Sequence, residues 1–271
     1  KKHQLPKQYA KEVESWFLPI IQDIVKQQQV ANRPIIVGIN GTQGSGKSTL
    51  ADLLVFFFQH QYQLNAIALS IDDFYLTQQQ RQTLAQTIHP LMATRGVPGT
   101  HDVSLANETL QQLISNEGNV LIPRFNKAID DRHPQSEWDE VAAPMDIIIL
   151  EGWCLGAEAQ EDSALVSAVN DLESNEDALG VWRNYVNQQL LNEYPSLFKQ
   201  VDSWIMLQAP SFDCVFKWRL EQEHKLRDKL RKQGQLTDNK VMDDVAVGRF
   251  IKFYQRITEC LLKTLPAKVD Y

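Results

Sequence analysis

A glycine-rich segment, Gly41-Thr-Gln-Gly-Ser-Gly-Lys-Ser48, has the spacing G-x-x-x-x-G-K-S and follows the apolar run at residues 35–39. Glycines at these positions let the backbone turn its N–H groups inward around phosphate oxygens. Lys47 can reach the β- and γ-phosphates, and the Ser48 hydroxyl can hold Mg²⁺. The segment predicts a nucleoside triphosphate site. We expect its binding contacts to come from Gly41, Thr42, Gln43, Gly44, Ser45, Gly46, Lys47, Ser48 and Thr49.

Two carboxylates stand where later apolar runs end, Asp72 after residues 66–71 and Glu151 after residues 147–150. Open parallel sheets bind ligands at the carboxyl ends of their strands. Glu151 fits an acidic group that reaches Mg²⁺, and Asp72 fits a base that takes a hydroxyl proton while touching the metal shell. The alternative, a helix cap or turn residue, fits Asp73 better because adjacent strand residues point to opposite faces.

Two loops combine glycine or proline with cations, namely residues 95–102 and residues 123–132. Arginine binds carboxylate and phosphate groups through paired hydrogen bonds, so these loops predict a small anionic acceptor. Surface ion pairs are the alternative, and a histidine such as His101 is more often structural than catalytic. The predicted acceptor contacts are Asp72, Tyr75, Arg95, His101, Arg124, Lys127 and Arg132.

The densest cationic stretch follows the last apolar run, on a predicted helix that ends near Gly234. It contains Lys217, Arg219, Lys225, Arg227, Lys229, Arg231 and Lys232. One interpretation is a mobile lid that brings Arg219 or Arg227 onto a transferring phosphoryl group as a catalytic residue. The other is a solvated helix, because acidic residues are interspersed among the cations.

Short apolar runs separated by helical stretches predict a parallel sheet. They lie at residues 35–39, 66–71, 120–122, 147–150 and 204–207. The expected fold is a three-layer α/β phosphate-loop NTPase fold with helices on both faces and a helical lid at about 211–234.

The rest of the chain forms the predicted additions to that sheet. They are a helical appendage at residues 1–32, ahead of one kinase domain at 33–271, and an exposed acidic helical insertion at about 157–195. Thr237 or Asp238 is the expected cap of the last helix. Residues 268–271 read as a further strand.

Composition excludes several classes of protein. A net charge of −7 and a pI near 5.4 argue against nucleic acid or an anionic membrane as the main partner. Three dispersed cysteines and no apolar run of about 18 residues favour a soluble protein of a reducing cytoplasm. A guanine-binding switch is disfavoured because both candidate N-K-x-D segments are one residue too long.

At these residues the chain resembles the phosphoribulokinase, uridine kinase and pantothenate kinase superfamily. The shared signature is the phosphate loop, then Leu69-Ser-Ile-Asp-Asp-Phe-Tyr75 and Leu150-Glu-Gly152. Within that superfamily, the segments Arg95-Gly-Val-Pro-Gly-Thr-His-Asp102, Pro123-Arg-Phe-Asn-Lys127 and Trp182-Arg-Asn-Tyr-Val-Asn187 resemble the plant and cyanobacterial type of D-glycerate 3-kinase.

The resemblance implies ATP and Mg²⁺, Lys47 and Ser48 at the phosphates and the metal, Asp72 as base and Glu151 near magnesium. It also implies that the helix after the fifth strand acts as a lid. A small-molecule kinase with glycerate as acceptor is the leading hypothesis. A nucleoside or pantothenate kinase of the same fold and a nucleotide-dependent regulatory protein are the alternatives.

Overall fold

The computed structural model describes residues 13–115, 118–232 and 242–271. Its strands are β1 (Ile35–Gly41), β2 (Ala66–Ser70), β3 (Gly118–Ile122), β4 (Phe125–Asn126), β5 (Asp131–Arg132), β6 (Asp139–Ala143), β7 (Ile147–Gly152) and β8 (Ser203–Leu207). Its α-helices are Leu18–Ala31, Lys47–Gln61, Gln78–Thr87, Val103–Ser115, Asp162–Leu165, Asp171–Glu176, Val181–Asn192, Pro195–Phe198, Phe212–Lys232 and Asp244–Thr264.

The central sheet is parallel and has the strand order β2-β7-β1-β8. Every residue of β1 and β7 is buried, as expected for the inner strands of a sheet that is covered on both faces. The phosphate loop therefore leaves the sheet from an inner strand, with strands on both sides. The predicted α/β fold with a parallel sheet is confirmed.

Alternate residues of the inner strands enter two separate apolar clusters. Ile36 and Ile148 pack in the cluster that includes the helix Asp244–Thr264. Val37 and Ile149 pack in the cluster that includes the helix following the phosphate loop. Because successive side chains of a strand point to opposite faces, these clusters are the two interfaces of a three-layer structure. Helices cover both faces, as predicted.

The run at residues 120–122 does not join the parallel sheet. It lies in β3, which pairs antiparallel with β6. Val120 and Ile122 are buried while Asn119 and Leu121 are exposed. This alternation is typical of a half-buried antiparallel strand, whereas the parallel strands β1 and β7 are buried throughout. The prediction that this run contributes to the parallel sheet was wrong.

The last residues run along the outer edge of β8. The Met206 N–H donates to the Tyr271 carbonyl, and the Tyr271 N–H donates to the Trp204 carbonyl. The helix Asp244–Thr264 begins behind Asp243, whose side chain accepts from the Ala246 N–H. The caps expected at residues 237 and 238, and the lid terminus expected at Gly234, lie outside the described residues.

The acidic insertion contains two buried carboxylates. Glu173 is fully buried against the Arg256 guanidinium, at 2.6 Å. Asp177 accepts from the Arg183 side chain at 3.1 Å and from the Trp182 N–H at 2.8 Å. For these two residues the expectation of an exposed insertion was wrong, because each carboxylate is buried with an arginine partner. None of the described helices combines the length and apolar character that crossing a bilayer requires.

Candidate active site

The phosphate loop connects β1 to the helix Lys47–Gln61. Gly44 and Gly46 have φ values of +84° and +94°, in the left-handed region that glycine adopts without steric cost. Gly46 is the residue that precedes the helix, so the free N–H groups of the first turn face the loop. Local sequence and backbone geometry together form a cradle for an anion.

Two hydroxyls of this loop have no hydrogen-bond partner among the described residues. They belong to Thr42 and Ser45, and both oxygen atoms are buried. A buried polar group without a partner is costly, so such groups usually face a ligand or water. A phosphate oxygen would accept from either hydroxyl, which agrees with the function predicted for the loop.

Glu151, at the end of β7, meets the start of the phosphate-loop helix. The Ser48 hydroxyl donates to Glu151 Oε1 at 2.6 Å, and Lys47 Nζ lies 3.8 Å from Oε2. Burial raises the pKa of the Glu151 carboxyl, although Lys47 and the Ser48 hydrogen bond act in the opposite direction. The lysine and the serine therefore stabilise the charged carboxylate.

A divalent ion bound beside Glu151 would need oxygen ligands from a bound nucleotide as well as from the protein. Among the residues that the structure describes, no three His, Cys, Asp or Glu side chains gather as a metal site. Ser48, Glu151 and the phosphates of a nucleotide would supply the hard oxygen ligands that Mg²⁺ prefers. Glu151 Oε2 is buried and makes no hydrogen bond in the described part of the chain, so it is able to accept such a partner.

Asp72 lies on a short 3₁₀ turn, Ile71–Phe74, that directly follows β2. The Tyr75 hydroxyl donates to its Oδ1 at 2.9 Å, and Lys127 Nζ donates to its Oδ2 at 2.5 Å. Burial alone would raise the pKa of this carboxyl, but the charges of Lys127 and Lys47 lower it below its usual range. Asp72 is ionised, and both of its oxygens have partners.

Asp73 is directed away from this position. Its Oδ2 accepts from Arg124 at 3.0 Å and its Oδ1 from the Phe125 N–H at 3.3 Å. Burial raises the pKa of Asp73, against the effect of the nearby Arg124. The two neighbouring carboxylates therefore have different surroundings. Asp72 faces the phosphate loop, and Asp73 connects the turn to β4.

One cavity of about 380 Å³ collects most of the predicted site residues. Those on its lining are Gln43, Gly44, Gly46, Lys47, Ser48, Thr49, Asp72, Tyr75, Arg95, Lys127 and Arg219. The phosphate loop, the candidate base and three further cations thus share one space. Glu151 lies behind this lining, against Ser48.

His101 does not line the cavity. It is buried behind Tyr75, with the two rings stacked at 4.6 Å. The Tyr194 hydroxyl oxygen accepts from the Gly99 N–H at 3.1 Å and shares a hydrogen bond of 2.6 Å with His101 Nδ1. Burial lowers the pKa of His101 to about 4, although Asp72 acts against this. The ring is neutral, and its described contacts hold the loop and Tyr75 in place.

Arg124 and Arg132 also lie outside the cavity lining. Arg124 donates to Asp73 at 3.0 Å and to Asp139 at 2.7 Å. Arg132 donates to the Tyr75 carbonyl at 2.8 Å. Both guanidinium groups are used to connect the 123–132 loop to the end of β2, and the acceptor contacts predicted for them have no support in this geometry.

The helix Phe212–Lys232, which the sequence predicts to act as a lid and which is called the lid helix below, brings one of its two predicted catalytic arginines to the cavity. Arg219 is paired with Glu223 on the next turn and lies 5.6 Å from the Phe250 ring centre. Arg227 lies two turns further along and donates to the Met242 carbonyl at 3.0 Å, away from the cavity lining. The structure thus places Arg219, and not Arg227, beside the phosphate loop.

The lid helix touches the phosphate loop directly. A Cβ placed on Gly44 would lie 2.8 Å from the Trp218 Cβ and 3.4 Å from Gln222 Nε2. At 2.8 Å a carbon atom at position 44 would overlap the lid, so the close approach depends on glycine. The lid helix is therefore packed against the loop, and Gly44 and Gln222 both line the cavity.

Four residues of the cavity lining were not predicted from the sequence. They are Trp153, Gln222, Phe250 and Tyr254. Phe250 and Tyr254 belong to a series of apolar residues at helical spacing. Such spacing indicates a buried helix face and does not identify a binding site. Trp153 follows Glu151 by two residues, and its ring donates to the Gly96 carbonyl at 2.9 Å. Its place after a strand end is the one signal that could have identified it.

A larger cavity of about 460 Å³ lies elsewhere, beside β8 and the end of the last helix. Leu190, Phe198, Trp204 and Leu265 form much of its lining, and it contains no residue of the phosphate loop. We assign the chemistry to the smaller cavity because that cavity contains the phosphate loop, the base and the cations.

No protein-family model matches the chain. It is 33% identical over 259 residues to the uncharacterized kinase mug58 of Schizosaccharomyces pombe, an alignment covering 92% of this chain and 89% of that protein. It is 30% identical over 246 residues to the chloroplastic D-glycerate 3-kinase of Arabidopsis thaliana, covering 88% of this chain and 50% of the relative. The chain thus spans about half the length of the plant enzyme.

Among solved structures, the fold is similar to a D-glycerate 3-kinase from Cryptococcus neoformans var. grubii. The TM-score is 0.75 at 26% identity, and the match covers 90% of this chain and 88% of that one. The plant relative is named for the chloroplast, so the compartment expected from the cysteine pattern stays a prediction.

Proposed function

The chain belongs to the phosphate-loop kinase superfamily and is a small-molecule kinase, and we propose that it phosphorylates D-glycerate at the primary hydroxyl with MgATP as donor. One observation supports this acceptor above the others. Asp72, the phosphate loop and the cations Arg95, Lys127 and Arg219 line the same cavity of about 380 Å³. D-glycerate combines a primary hydroxyl with a carboxylate, and the cavity has partners for both.

The charges of the site explain why an anionic acceptor needs those cations. A carboxylate entering beside Asp72 and Glu151 is repelled by two negative groups, in a chain whose net charge is −7. The positive charges of Arg95 and Lys127, which line the same cavity, offset that repulsion. A neutral acceptor would gain little from either cation.

The proposed transfer assigns one role to each group. Asp72 accepts the proton of the acceptor hydroxyl, whose oxygen attacks the γ-phosphorus. Lys47 and the loop N–H groups hold the phosphates, and Arg219 meets the charge on the transferring group. Ser48 and Glu151 would hold Mg²⁺, which neutralises phosphate charge when bound. The protein contributes mainly positioning and electrostatic stabilisation, which are the chief requirements of phosphoryl transfer.

The test is ADP release by the purified protein with MgATP and a panel of acceptors. The panel contains D-glycerate, L-glycerate, uridine, pantothenate and a control without acceptor. We expect robust turnover on D-glycerate and none with Lys47→Ala, which lacks the lysine aimed at the β- and γ-phosphates. Turnover on uridine or pantothenate with none on D-glycerate would reject the acceptor and leave the kinase assignment intact.

A further inference from the structure

The two oxygens of Asp72 are both occupied, and by partners of different mobility. Tyr75 is 3% exposed and is stacked on His101, so its hydroxyl is a fixed donor to Oδ1. The side chain of Lys127 is 60% exposed and lies in the turn between β4 and β5, with its ammonium 2.5 Å from Oδ2. Lys127 is therefore the partner that can leave.

The ammonium stands where a reacting hydroxyl must come. A general base has to lie within hydrogen-bond distance of the proton that it removes. Oδ1 keeps its bond to Tyr75, so Oδ2 is the oxygen available for the acceptor. While Lys127 donates to Oδ2, an incoming hydroxyl has to compete with a charge-assisted hydrogen bond.

We propose, on the basis of the proposed function, that Lys127 blocks Asp72 until the anionic group of the acceptor draws its ammonium away. Lys127 and Arg95 both line the cavity, so a carboxylate bound to Arg95 offers the lysine a second anionic partner. The displaced lysine then holds the acceptor carboxylate, and Oδ2 becomes free for the hydroxyl. Lys127 is thus a residue that makes transfer conditional on the charge of the acceptor.

The transfer that follows balances without any further reactant. The hydroxyl proton moves to Asp72 Oδ2, and the hydroxyl oxygen forms a bond to the γ-phosphorus of ATP. The bond between that phosphorus and the bridging oxygen breaks, and its electron pair leaves with ADP. Water and neutral alcohols lack the anionic group that displaces Lys127. The ion pair between Lys127 and Asp72 therefore also limits ATP hydrolysis in the absence of an acceptor.

The experiment compares the wild type with Lys127→Met on D-glycerate, on glycerol and without acceptor. Glycerol has the same primary hydroxyl and no charge. We expect kcat/KM for D-glycerate to fall, while ATP hydrolysis without acceptor and turnover on glycerol each rise by about tenfold. A lysine that only binds the carboxylate would leave the two neutral reactions unchanged, and a purely structural lysine would lower all three.

Two further variants serve as controls. Lys127→Arg retains a cation that can move between Asp72 and the acceptor, and we expect it to suppress hydrolysis as the wild type does. Lys252 forms a comparable ion pair with Asp171, at 2.6 Å and outside the cavity, so Lys252→Met should leave all three rates unchanged.

The blocking role alone would be overturned if Lys127→Met raised neither the rate of ATP hydrolysis nor turnover on glycerol while the wild type still preferred D-glycerate. A wild-type enzyme that prefers a neutral acceptor would overturn the acceptor assignment and the blocking role together. The wild-type panel therefore distinguishes the two failures.

Discussion

Gly44 of the phosphate loop and Trp218 of the lid helix are so close that a Cβ on the glycine would lie 2.8 Å from the Trp218 Cβ. The glycine is required twice, because its φ of +84° is also unfavourable for other residues. The loop and the lid helix therefore pack closely together only because position 44 has no side chain.

Replacing Gly44 by alanine should remove most of the kinase activity. The left-handed backbone costs about 1–2 kcal/mol for a residue with a Cβ, and the overlap with Trp218 displaces the lid or the loop. Steady-state turnover and the melting temperature should both fall. Gly118→Ala is the matched control, because Gly118 also has a positive φ but nothing within 4 Å. It should lose stability while keeping its activity.

Asp72→Asn should lower kcat by about 10²- to 10⁴-fold, because an amide cannot accept the hydroxyl proton. The affinity for nucleotide, measured by titration calorimetry, should change little. Asp73→Asn is the matched comparison, because Asp73 binds Arg124 and the Phe125 N–H away from the cavity. Asp73→Asn should lower the melting temperature, and its effect on kcat should be smaller than that of Asp72→Asn. A kcat unchanged in the first variant would place the base elsewhere.

How much of this site was readable from the sequence depends on how local each signal is. The phosphate loop is a contiguous motif, and Asp72 and Glu151 follow apolar runs that become β2 and β7, so simple rules locate all of them. The parallel sheet followed from the same runs. These features were predictable because each depends on neighbouring residues in the chain.

Other features depend on pairings between distant residues. Arg124 carries the same charge as Lys127 three positions later, yet it binds Asp73, 51 positions away, and Lys127 faces the cavity. The apolar stripe that includes Tyr254 indicates a buried helix face without indicating what it faces. Spacing identifies candidate residues in these cases, and tertiary packing decides which of them reach the site.

Arg95→Ala should raise the KM for D-glycerate by about tenfold or more and leave the KM for ATP nearly unchanged. Arg95 lines the cavity, and its guanidinium is held by Asp130 over the Phe125 ring. The comparison variant is Arg124→Ala, which should have the smaller effect on the glycerate KM. Equal effects of the two substitutions would show that the cavity lining does not define the acceptor contacts.

Arg219→Met should lower kcat by about 10²-fold with a small change in nucleotide affinity, as expected for a cation that acts mainly on the transition state. Methionine keeps a long side chain beside the Phe250 ring and removes the charge that lies over that ring. Arg227→Met, on the same helix, should stay within about threefold of the wild type because Arg227 binds the Met242 carbonyl. Single-turnover kinetics would separate an effect on transfer from one on product release. A larger loss in the second variant would contradict this placement of the lid.

Buried His101 should make the protein less stable in mild acid. Its pKa is about 4 in the folded state because of burial, below the ordinary value of 6.5. As the pH falls below 6.5, the unfolded chain therefore binds a proton that the native ring does not bind, and the free energy of unfolding decreases by up to about 1.4 kcal/mol per pH unit until about pH 4.

The variant His101→Gln removes this pH dependence, although it weakens the contact with Tyr194. Its destabilisation relative to the wild type should be about 2 kcal/mol smaller at pH 5 than at pH 7.5, by urea unfolding at both values. An equal destabilisation of His101→Gln at pH 5 and pH 7.5 would mean that the pKa of His101 in the folded protein does not differ from its value in the unfolded chain.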